Sequence, residues 1–325
     1  MEPLLSVRDL SLVFSQGKTK KQVTDGVAFD LYPGEIVSLV GESGCGKSVT
    51  ALSILGLLPR QGRVSRGKIL FQGQDLLALT EKELDQVRGK EISMVFQDIM
   101  YSLNPVFTIG NQMTEGLRHH LGLPRSEAEK EATALLERMG LPDPNAAMRK
   151  YPHQLSGGQR QRVMIAMALA CKPKLLIADE PTTALDVTIQ LQIMQLLRRL
   201  RDETGMAILL ITHDLGIVAE TADRVVVMYA GQCIESAPTR TLLTAPAHAY
   251  TRALLGAVPG IHDARERRLY SIPGAVPDHY DDLPGCRFAP RCPLAGQEQC
   301  RLAEMKEIAP DHLSRCFTKG GETFV

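Results

Sequence analysis

A stretch of eight residues has the composition of a loop that binds phosphate groups. It lies between apolar runs at residues 36–40 and 49–58, which predict a buried strand before it and a helix after it. Its glycines let successive backbone N–H groups point at phosphate oxygens, and the start of the helix adds its dipole. Lys47 would neutralise the β- and γ-phosphates, and Ser48 would bind Mg²⁺. The predicted nucleotide-binding residues of this loop are Gly41, Ser43, Gly44, Cys45, Gly46, Lys47 and Ser48.

Two adjacent carboxylates, Asp179 and Glu180, follow another apolar run at residues 174–178. Ligands bind where the strands of an α/β sheet end, so these side chains are placed for catalysis. Asp179 would hold Mg²⁺, directly or through water, and Glu180 would orient and polarise the attacking water. Two acids at a strand end are by themselves equally typical of a solvated turn. The phosphate loop upstream favours the catalytic interpretation.

The elements around these residues predict an α/β fold. Early β-like runs at 4–14, 23–31 and 68–71 indicate an antiparallel patch. Apolar runs at 36–40, 174–178, 207–211 and 225–228 alternate with helical patterns, as in a parallel sheet. Residues from about 98 to 160 form a predicted helical insertion, in which Ser126 and Glu129 would cap a helix with its apolar side at Ala128, Ala132, Leu135, Leu136 and Met139. We expect one domain at 1–240 and a small, irregular, cysteine-rich one at 241–325.

Composition limits the classes of protein that this chain can be. The sequence has 325 residues, with 37 Lys and Arg against 37 Asp and Glu. A balanced charge disfavours a nucleic-acid partner, whose binding surface would need a basic excess. No apolar run approaches the roughly 20 residues of a membrane span, and the first residues lack the pattern of a signal peptide. We therefore expect a protein of the cytosol.

A further set of short motifs identifies a family. Residues 155–159, Leu-Ser-Gly-Gly-Gln, precede a helical pattern at 160–170; alone, they would indicate only a helix N-cap. They follow Gln97 and precede Ala184-Leu185-Asp186 and His213 along the chain. With the phosphate loop and the carboxylate pair, this order over residues 4–240 resembles the ATP-binding subunits of ABC transporters. The resemblance implies a P-loop nucleotide-binding fold with a parallel core, an antiparallel β subdomain and a helical subdomain.

The same resemblance implies how the site works. Two such subunits enclose two ATP molecules, so that the 155–159 motif of one chain contacts the γ-phosphate held by Lys47 of the other, and Gln97 with the helical insertion faces the membrane subunits. Catalysis falls to Glu180, His213, Gln97 and Lys47, and Mg²⁺ binding to Ser48, Gln97 and Asp179. Phe14 either stacks on adenine or packs in the core. The nucleotide contacts outside the phosphate loop would be Phe14, Gln97, Ser156, Gly157, Gly158, Gln159, Asp179 and Asp186.

The tail contains four clustered cysteines, Cys286, Cys292, Cys300 and Cys316. Such soft ligands in a reducing compartment favour a metal site, and their spacing leaves an iron–sulfur cluster, zinc and free thiols open. Segments 248–255, 272–274 and 285–293 resemble the tails of peptide-importer ATPases, some of which carry a [4Fe-4S] cluster on such cysteines. A separate cysteine, Cys45, occupies a variable position of the phosphate loop and is interpreted as a tolerated small residue. The alternative is that its place at the start of a helix lowers the pKa of its thiol and makes it sensitive to alkylation.

The resemblance as a whole implies a subunit that hydrolyses ATP to power import of dipeptides or oligopeptides. Its cofactors would be ATP, Mg²⁺ and a [4Fe-4S] cluster. Its partners would be a second, homologous ATPase, two transmembrane permease subunits and a periplasmic or lipid-anchored peptide-binding protein, at the cytoplasmic face of a bacterial inner membrane. Three alternatives stay open. The same ATPase could drive import of nickel, glutathione or another small solute. The tail could be a redox sensor that regulates transport, or the chain could be a soluble ABC protein outside transport.

Overall fold

The computed structural model describes residues 2–17, 19–98, 102–182, 186–257, 271–277, 279–295, 300 and 304–316. The described strands are β1 (Leu5–Gln16), β2 (Thr19–Leu31), β3 (Ile36–Val40), β4 (Gly62–Phe71), β5 (Gln74–Asp75), β6 (Ile92–Val95), β7 (Leu175–Asp179), β8 (Ala207–Ile211), β9 (Arg224–Tyr229), β10 (Gln232–Pro238), β11 (Lys306–Ala309) and β12 (His312–Ser314). The described α-helices are α1 (Lys47–Ile54), α2 (Glu81–Val87), α3 (Ile109–Leu121), α4 (Arg125–Arg138), α5 (Pro144–Arg149), α6 (Gly157–Leu169), α7 (Val187–Thr204), α8 (Leu215–Thr221), α9 (Thr239–Thr244) and α10 (Ala249–Gly256).

The described residues fold into two compact units. The first consists of Met1–Leu4, Leu31–Ile36 and Asp75–Ile211, and the second of Leu5–Asp30, Val37–Gln74 and Thr212–Val325. The described residues after 240 therefore belong to the same unit as the phosphate loop. The domain boundary expected near residue 240 stays a prediction.

The first unit has a parallel sheet in the order β8-β7-β6. Every residue of β7 and β8 is buried, which is why these strands are continuous apolar runs in the sequence. In the register of this pair, Asp179 at the end of β7 lies opposite Ile211. The parallel arrangement predicted for these runs is confirmed, and it delivers Asp179 to the carboxyl edge of the sheet.

The segment predicted as a helical insertion contains helices α3, α4 and α5 in this unit. Helix α4 buries Ala128, Ala132 and Leu136, which recur on one face. The predicted cap at Ser126 is wrong: the helix begins one residue earlier, and Pro124 occupies the N-cap without a side-chain hydrogen bond. The φ of Pro124, −58°, is fixed by its ring, so the chain enters the helix without a hydroxyl cap. Glu129 instead accepts a hydrogen bond from Arg125 Nε at 2.9 Å.

The second unit contains an antiparallel sheet, β2-β1-β4-β5, and a mixed set in the order β11-β12-β10-β9-β3. Within the mixed set, β3 and β9 are parallel, and β9 and β10 are antiparallel. The tail strands β11 and β12 form a hairpin that pairs with β10. This hairpin was not predicted from the sequence.

The tail also contributes to the core of the second unit. Tyr250, Tyr280 and Phe288 lie in the same buried group as Val40 and Val227 of the strands. Tyr250 and Phe288 are almost fully buried. The side chains of an irregular segment thus fill a core next to the strand that leads into the phosphate loop. Within the described residues, no helix combines the length and the apolarity that crossing a bilayer requires.

Candidate functional site

The phosphate loop connects β3 to α1 through a left-handed glycine. Gly46 has a φ of 102° and is the N-cap of α1. A Cβ at this position would lie 2.7 Å from Cγ2 of Thr24, closer than carbon atoms approach. Both the backbone conformation and the lack of space require glycine, as the motif predicted. Helix α1 then starts at Lys47 with no side-chain cap, which leaves its N-terminus to other acceptors.

Lys47 is buried, and its ammonium group lies against its own loop. Its Nζ donates to the carbonyl oxygens of Gly41 at 2.8 Å and Glu42 at 3.0 Å. The charge predicted to bind phosphates is therefore held inside the curve of the loop. Of the other predicted contacts, Ser43 and Gly44 are exposed and Ser48 is partly buried.

The surroundings of Cys45 fit the interpretation as a small residue of the loop and oppose the alternative of a lowered thiol pKa. Its side chain is buried, with Sγ 3.7 Å from Lys47 Nζ. Burial raises the pKa of the Cys45 thiol, and the nearby ammonium group lowers it by less. The desolvation of a thiolate in this position outweighs the effect of the helix start. Burial and the raised pKa of its thiol both fit a small structural residue of the loop.

The carboxylate pair lies at the end of β7 in the first unit. Asp179 is buried, and Glu180 follows it in a left-handed conformation with a φ of 46°. The backbone N–H of Glu180 donates to the carbonyl oxygen of Ile211 at 2.9 Å. Gln97 Nε2 donates to Glu180 Oε2 at 2.9 Å. Two residues 83 positions apart in the sequence, predicted to share one site, are therefore in direct contact.

The 155–159 motif forms the N-terminus of α6. Ser156 is the N-cap: its Oγ accepts from the N–H of Gln159 at 3.3 Å, and Gln159 Oε1 accepts from the N–H of Ser156 at 3.1 Å. Ser156 and Gly157 are exposed, so the helix N-terminus is open to a partner. Gln161, which the sequence analysis did not identify, donates through Nε2 to the carbonyl oxygen of Pro181. This bond ties α6 to the segment that follows Glu180.

The remaining predicted residues occupy separate places. Asp186 is the N-cap of α7 and accepts from the N–H of Ile189 at 3.0 Å; its neighbours Ala184 and Leu185 lie outside the described residues. In the second unit, His213 is exposed just after β8. The ring of Phe14 is partly buried against Gly62, its partner across β1 and β4. Phe14 therefore packs on its own sheet, and its contact with adenine stays a prediction.

The four tail cysteines lie close enough to affect one another. The N–H of Cys286 donates to the carbonyl oxygen of Cys300 at 2.8 Å. Burial raises the pKa of the Cys286 thiol to about 11, and the other three thiols add to this rise. His248 Nε2 lies 3.8 Å from Cys286 Sγ. None of the four cysteines forms a disulfide, and in the described part of the chain no three of their sulfurs approach within 4.8 Å of one another.

Two tail residues that the sequence analysis did not single out contact the phosphate loop. Tyr250 and Arg291 both form hydrogen bonds with Glu42, across 208 and 249 positions of sequence. Both belong to tail segments that resembled those of peptide importers. A pairing over such a separation leaves no local pattern, so only correlated changes among homologues would have indicated it.

Comparison with known proteins identifies families that match two parts of this chain. Residues 24–183 match the family model "ABC transporter", and residues 234–300 match "Oligopeptide/dipeptide transporter, C-terminal region". The chain is 50% identical to the dipeptide transport ATP-binding protein DppD of Bacillus subtilis over 294 residues, covering 90% of this chain and 88% of that one. It is 49% identical to DppD of Escherichia coli K12 over 315 residues, covering 96% of both.

A solved structure shares the fold of the cassette. The dimeric bacterial ABC transporter cassette MJ0796 is 29% identical, with a TM-score of 0.66, and covers 73% of this chain and 99% of its own. The same cassette has been solved in a post-hydrolysis state bound to ADP and Pi. The match to nearly all of that chain confirms the predicted P-loop α/β fold.

Proposed function

This chain belongs to the ATP-binding subunits of ABC transporters, and on that premise we propose that it hydrolyses ATP to drive import of dipeptides or oligopeptides. The contact between Gln97 and Glu180 carries the hydrolytic part of the proposal. It brings a carboxylate that can polarise water together with an amide that can orient it. The match of residues 234–300 to the peptide-transporter C-terminal region supports the cargo.

The roles of the individual residues follow from their chemistry. The N–H groups around Gly46 and the ammonium of Lys47 bind the phosphates, Ser48 and Asp179 hold Mg²⁺ with Gln97, and Glu180 polarises the attacking water. Mg²⁺ supplies positive charge to the phosphates when it is bound. His213 serves the γ-phosphate, and Phe14 stacks on adenine. The exposed N-terminus of α6, at Ser156–Gln159, and Asp186 complete the site of a second subunit, because an open helix N-terminus binds anions.

The proposal includes the assembly. The partners are a homologous second ATPase, two transmembrane permeases and an external peptide-binding protein, and the chain is peripheral at the cytoplasmic face of the inner membrane. Two DppD relatives that match over almost their full length support this assignment. The dimeric cassette of MJ0796 supports the pairing of ATPase subunits.

Uptake of a labelled dipeptide tests the function. Cells that lack their other peptide importers would carry Glu180→Gln at the native locus, with protein levels checked. We expect uptake to fall at least about 100-fold, as for removal of a catalytic base, while the purified subunit still binds ATP. Glu203→Gln is the matched control, since Glu203 is half exposed on α7 and its ion pair, with Arg138 at 2.5 Å, lies on the surface.

The results of these measurements distinguish a peptide importer from an importer of another solute and test the role of Glu180. Loss of uptake in Glu180→Gln and normal uptake in Glu203→Gln would support a peptide importer. Normal dipeptide uptake in Glu180→Gln would reject the peptide cargo, and the same strain would then be tested for uptake of nickel and glutathione. Unchanged ATP hydrolysis by the purified variant would reject the role of Glu180.

We further propose that the four tail cysteines hold a [4Fe-4S] cluster. The four cysteines form no disulfide, and the thiols of Cys292, Cys300 and Cys316 lie close enough to raise the pKa of the Cys286 thiol. Four such thiols are a donor set of the right chemistry. Sulfurs around one tetrahedral zinc ion at about 2.3 Å would lie about 3.8 Å apart. Among the described residues no three of these sulfurs lie within 4.8 Å of one another, which fits a group larger than one zinc ion better. When bound, the cluster would crosslink the tail.

Metal analysis tests this second proposal. The full chain, purified without oxygen, should contain iron and acid-labile sulfide in equal amounts, and Cys292→Ser should lose both. Cys171→Ser, which changes a partly buried cysteine of the first unit, should keep them. Zinc without iron, or no metal at all, would contradict the cluster.

A further inference from the structure

The tail of the second unit holds one residue of the phosphate loop from two sides. Tyr250, on α10, accepts a hydrogen bond through its hydroxyl from the backbone N–H of Glu42 at 2.9 Å. Arg291 donates from Nη1 to both carboxylate oxygens of Glu42, at 3.1 and 3.0 Å. Arg291 stands directly before Cys292, in the segment that carries the four thiols. The tail thus contacts both the backbone and the side chain of the loop.

Glu42 is engaged at each of its polar groups. Its carbonyl oxygen accepts from Lys47 Nζ at 3.0 Å and from the N–H of Cys45 at 3.3 Å, both within the loop. The tail binds the other two groups, the N–H and the carboxylate. Because Lys47 reaches the same carbonyl, a shift of Glu42 would move the ammonium group that binds the phosphates.

Arg291 is itself held in place. Its Nε donates to the carbonyl oxygen of Pro273 at 2.9 Å, and its Nη1 donates to the hydroxyl of Tyr229 at 3.3 Å. The guanidinium lies 5.8 Å from the ring centre of Tyr229 and 5.9 Å from that of Phe288. Only 6% of its side chain is exposed. A guanidinium packed in this way is preorganised for a bidentate partner, unlike a surface lysine.

The charge of Glu42 makes this contact relevant to nucleotide binding. A loop that takes up a triphosphate gains from each neighbouring positive charge and loses from each negative one. Glu42 places a carboxylate in that loop, and Arg291 is the cation that neutralises it. Without Arg291, the carboxylate would repel the phosphates and would be free to draw Lys47 away from them.

We propose that Arg291 and Tyr250 are positioning residues for the phosphate loop: Arg291 neutralises Glu42, and Tyr250 fixes the backbone at the same residue. The proposal rests on the proposed binding of ATP by this loop, and it holds whether or not the four thiols carry a cluster. It gives the tail a direct effect on nucleotide affinity. Neither residue touches the nucleotide in this account.

The first experiment is a double-substitution cycle on the full-length chain. Titration with a fluorescent ATP analogue and Mg²⁺ gives the Kd of the wild type, Arg291→Gln, Glu42→Gln and the double variant. We expect Arg291→Gln to weaken binding roughly fivefold to tenfold, the effect of an unpaired carboxylate near the phosphates. Adding Glu42→Gln should restore most of the loss, because it removes the repelling charge. Arg291→Lys, which keeps the charge, should bind more tightly than Arg291→Gln.

The second experiment removes single oxygen atoms. Tyr250→Phe loses the acceptor of the Glu42 N–H, and Tyr280→Phe loses a hydroxyl that donates to the carbonyl oxygen of Val23 at 3.3 Å. Both tyrosines are buried in the tail, but the hydroxyl of Tyr250 bonds to the loop and that of Tyr280 bonds to β2. In the assembled transporter, we expect Tyr250→Phe to raise KM for ATP with a smaller change in kcat. Tyr280→Phe should leave KM unchanged.

The outcomes identify which proposal fails. If the wild-type chain does not bind the analogue, the proposed ATPase function fails. If it binds and Arg291→Gln binds equally well while remaining folded, the positioning role is wrong. If the double variant binds as weakly as Arg291→Gln, neutralisation of Glu42 is not the cause. Equal effects of Tyr250→Phe and Tyr280→Phe on KM would indicate general loosening of the tail and would reject the specific contact.

Discussion

At the scale of single residues, Glu180 combines its proposed catalytic role with an unfavourable backbone conformation. Its φ of 46° lies in the left-handed region, which costs a residue other than glycine about 1–2 kcal/mol. The bond from its N–H to the carbonyl oxygen of Ile211 holds it there. Backbone strain of this kind is found at functional sites, where it positions a side chain for its function at the expense of stability. The backbone conformation of Glu180 therefore lowers the free energy of unfolding, and substitutions at this position can measure by how much.

We predict that Glu180→Gly is more stable than Glu180→Ala by about 1 kcal/mol, because glycine adopts this conformation without strain. Both variants should lose ATP hydrolysis. Urea unfolding of the purified chain measures the difference. The control is Glu131, exposed within helix α4, where the order should reverse and glycine should be the less stable by about 1 kcal/mol. Equal stability of the two Glu180 variants would show that the backbone is not strained.

Gly231 supports the phosphate loop from the turn between β9 and β10. Its N–H donates to the carbonyl oxygen of Cys45 at 3.2 Å, and its φ is 82°. A Cβ there would lie 2.3 Å from the carbonyl oxygen of Val23. Gly73 has the same φ of 82°, with no atom within 4 Å of its Cβ position. The two glycines therefore separate backbone strain from steric overlap.

We predict that Gly73→Ala lowers the free energy of unfolding by about 1–2 kcal/mol, the cost of a left-handed alanine. Gly231→Ala should lower it by about 1–3 kcal/mol more, because the backbone must also move. It should also weaken ATP binding, since the moved segment contacts the loop. Thermal unfolding and nucleotide titration of both variants provide the test. Similar losses in both would mean that the site around Gly231 relaxes freely.

At the scale of elements, one residue at the N-terminus of α6, Ser156, has both a structural role and a proposed role in nucleotide binding. Ser156 caps the helix through the reciprocal bonds with Gln159, and it is also the proposed contact to a nucleotide in the partner subunit. Capping contributes to the stability of the single chain. The nucleotide contact contributes only to hydrolysis in the assembly.

We predict that Ser156→Ala loses about 1 kcal/mol of stability and most of the ATPase activity, whereas Ser156→Asn, which keeps the cap, regains stability but not activity. Thr108→Ala is the control. Thr108 caps α3 by accepting from the N–H of Asn111 at 3.3 Å, so its loss should cost similar stability and leave hydrolysis intact. Full activity of Ser156→Ala in the assembled transporter would reject the contact.

The elements differ in how well the sequence predicts them. Strands β3, β7 and β8 are buried along their whole length, so their apolar runs predict them within about one residue. Strand β11 is exposed at all four residues and has no apolar pattern. It exists because it pairs with β12, which pairs with β10. Only the tertiary structure supplies that partner, so local pattern could not predict the hairpin.

At the scale of the whole molecule, Glu235 joins three parts of the second unit. It is fully buried on β10, and its carboxylate accepts from the N–H of Ala247 at 2.7 Å and of His248 at 2.9 Å. His312 Nε2, on β12, lies 2.7 Å from its Oε1. One carboxylate thus anchors the start of α10 and the final hairpin, on either side of the segment with Cys286 and Cys292.

We predict that Glu235→Gln destabilises the chain by about 3 kcal/mol, because a buried group loses part of its hydrogen bonding and its charge. Limited proteolysis should cut the tail faster than in the wild type. Glu307→Gln is the control, since Glu307 is exposed on β11 and accepts a hydrogen bond from the N–H of Asp311 at 3.3 Å, within the same hairpin. A tail that resists protease equally in both variants would show that Glu235 is not its anchor.

Long-range pairing sets the limit of sequence-based prediction at this scale. The phosphate loop, Asp179, Glu180 and the 155–159 motif have local patterns tied to their chemistry, so their positions were predicted. Gln161 to Pro181, Glu235 to His312 and Glu42 to Arg291 are single contacts between distant segments. The residue types alone do not distinguish them from surface polar groups, because their partners are set by the fold.

The separation of 249 positions between Glu42 and Arg291 has a consequence for biosynthesis. At a translation rate of about 5–20 residues per second, the ribosome makes the arginine about 10–50 s after the loop that it neutralises. During that interval the nascent chain carries the phosphate loop with an unpaired carboxylate. On the proposed role of Arg291, a chain that is unfinished, or cut short before its tail, captures ATP poorly. Nucleotide binding is thereby reserved for subunits that have been made in full.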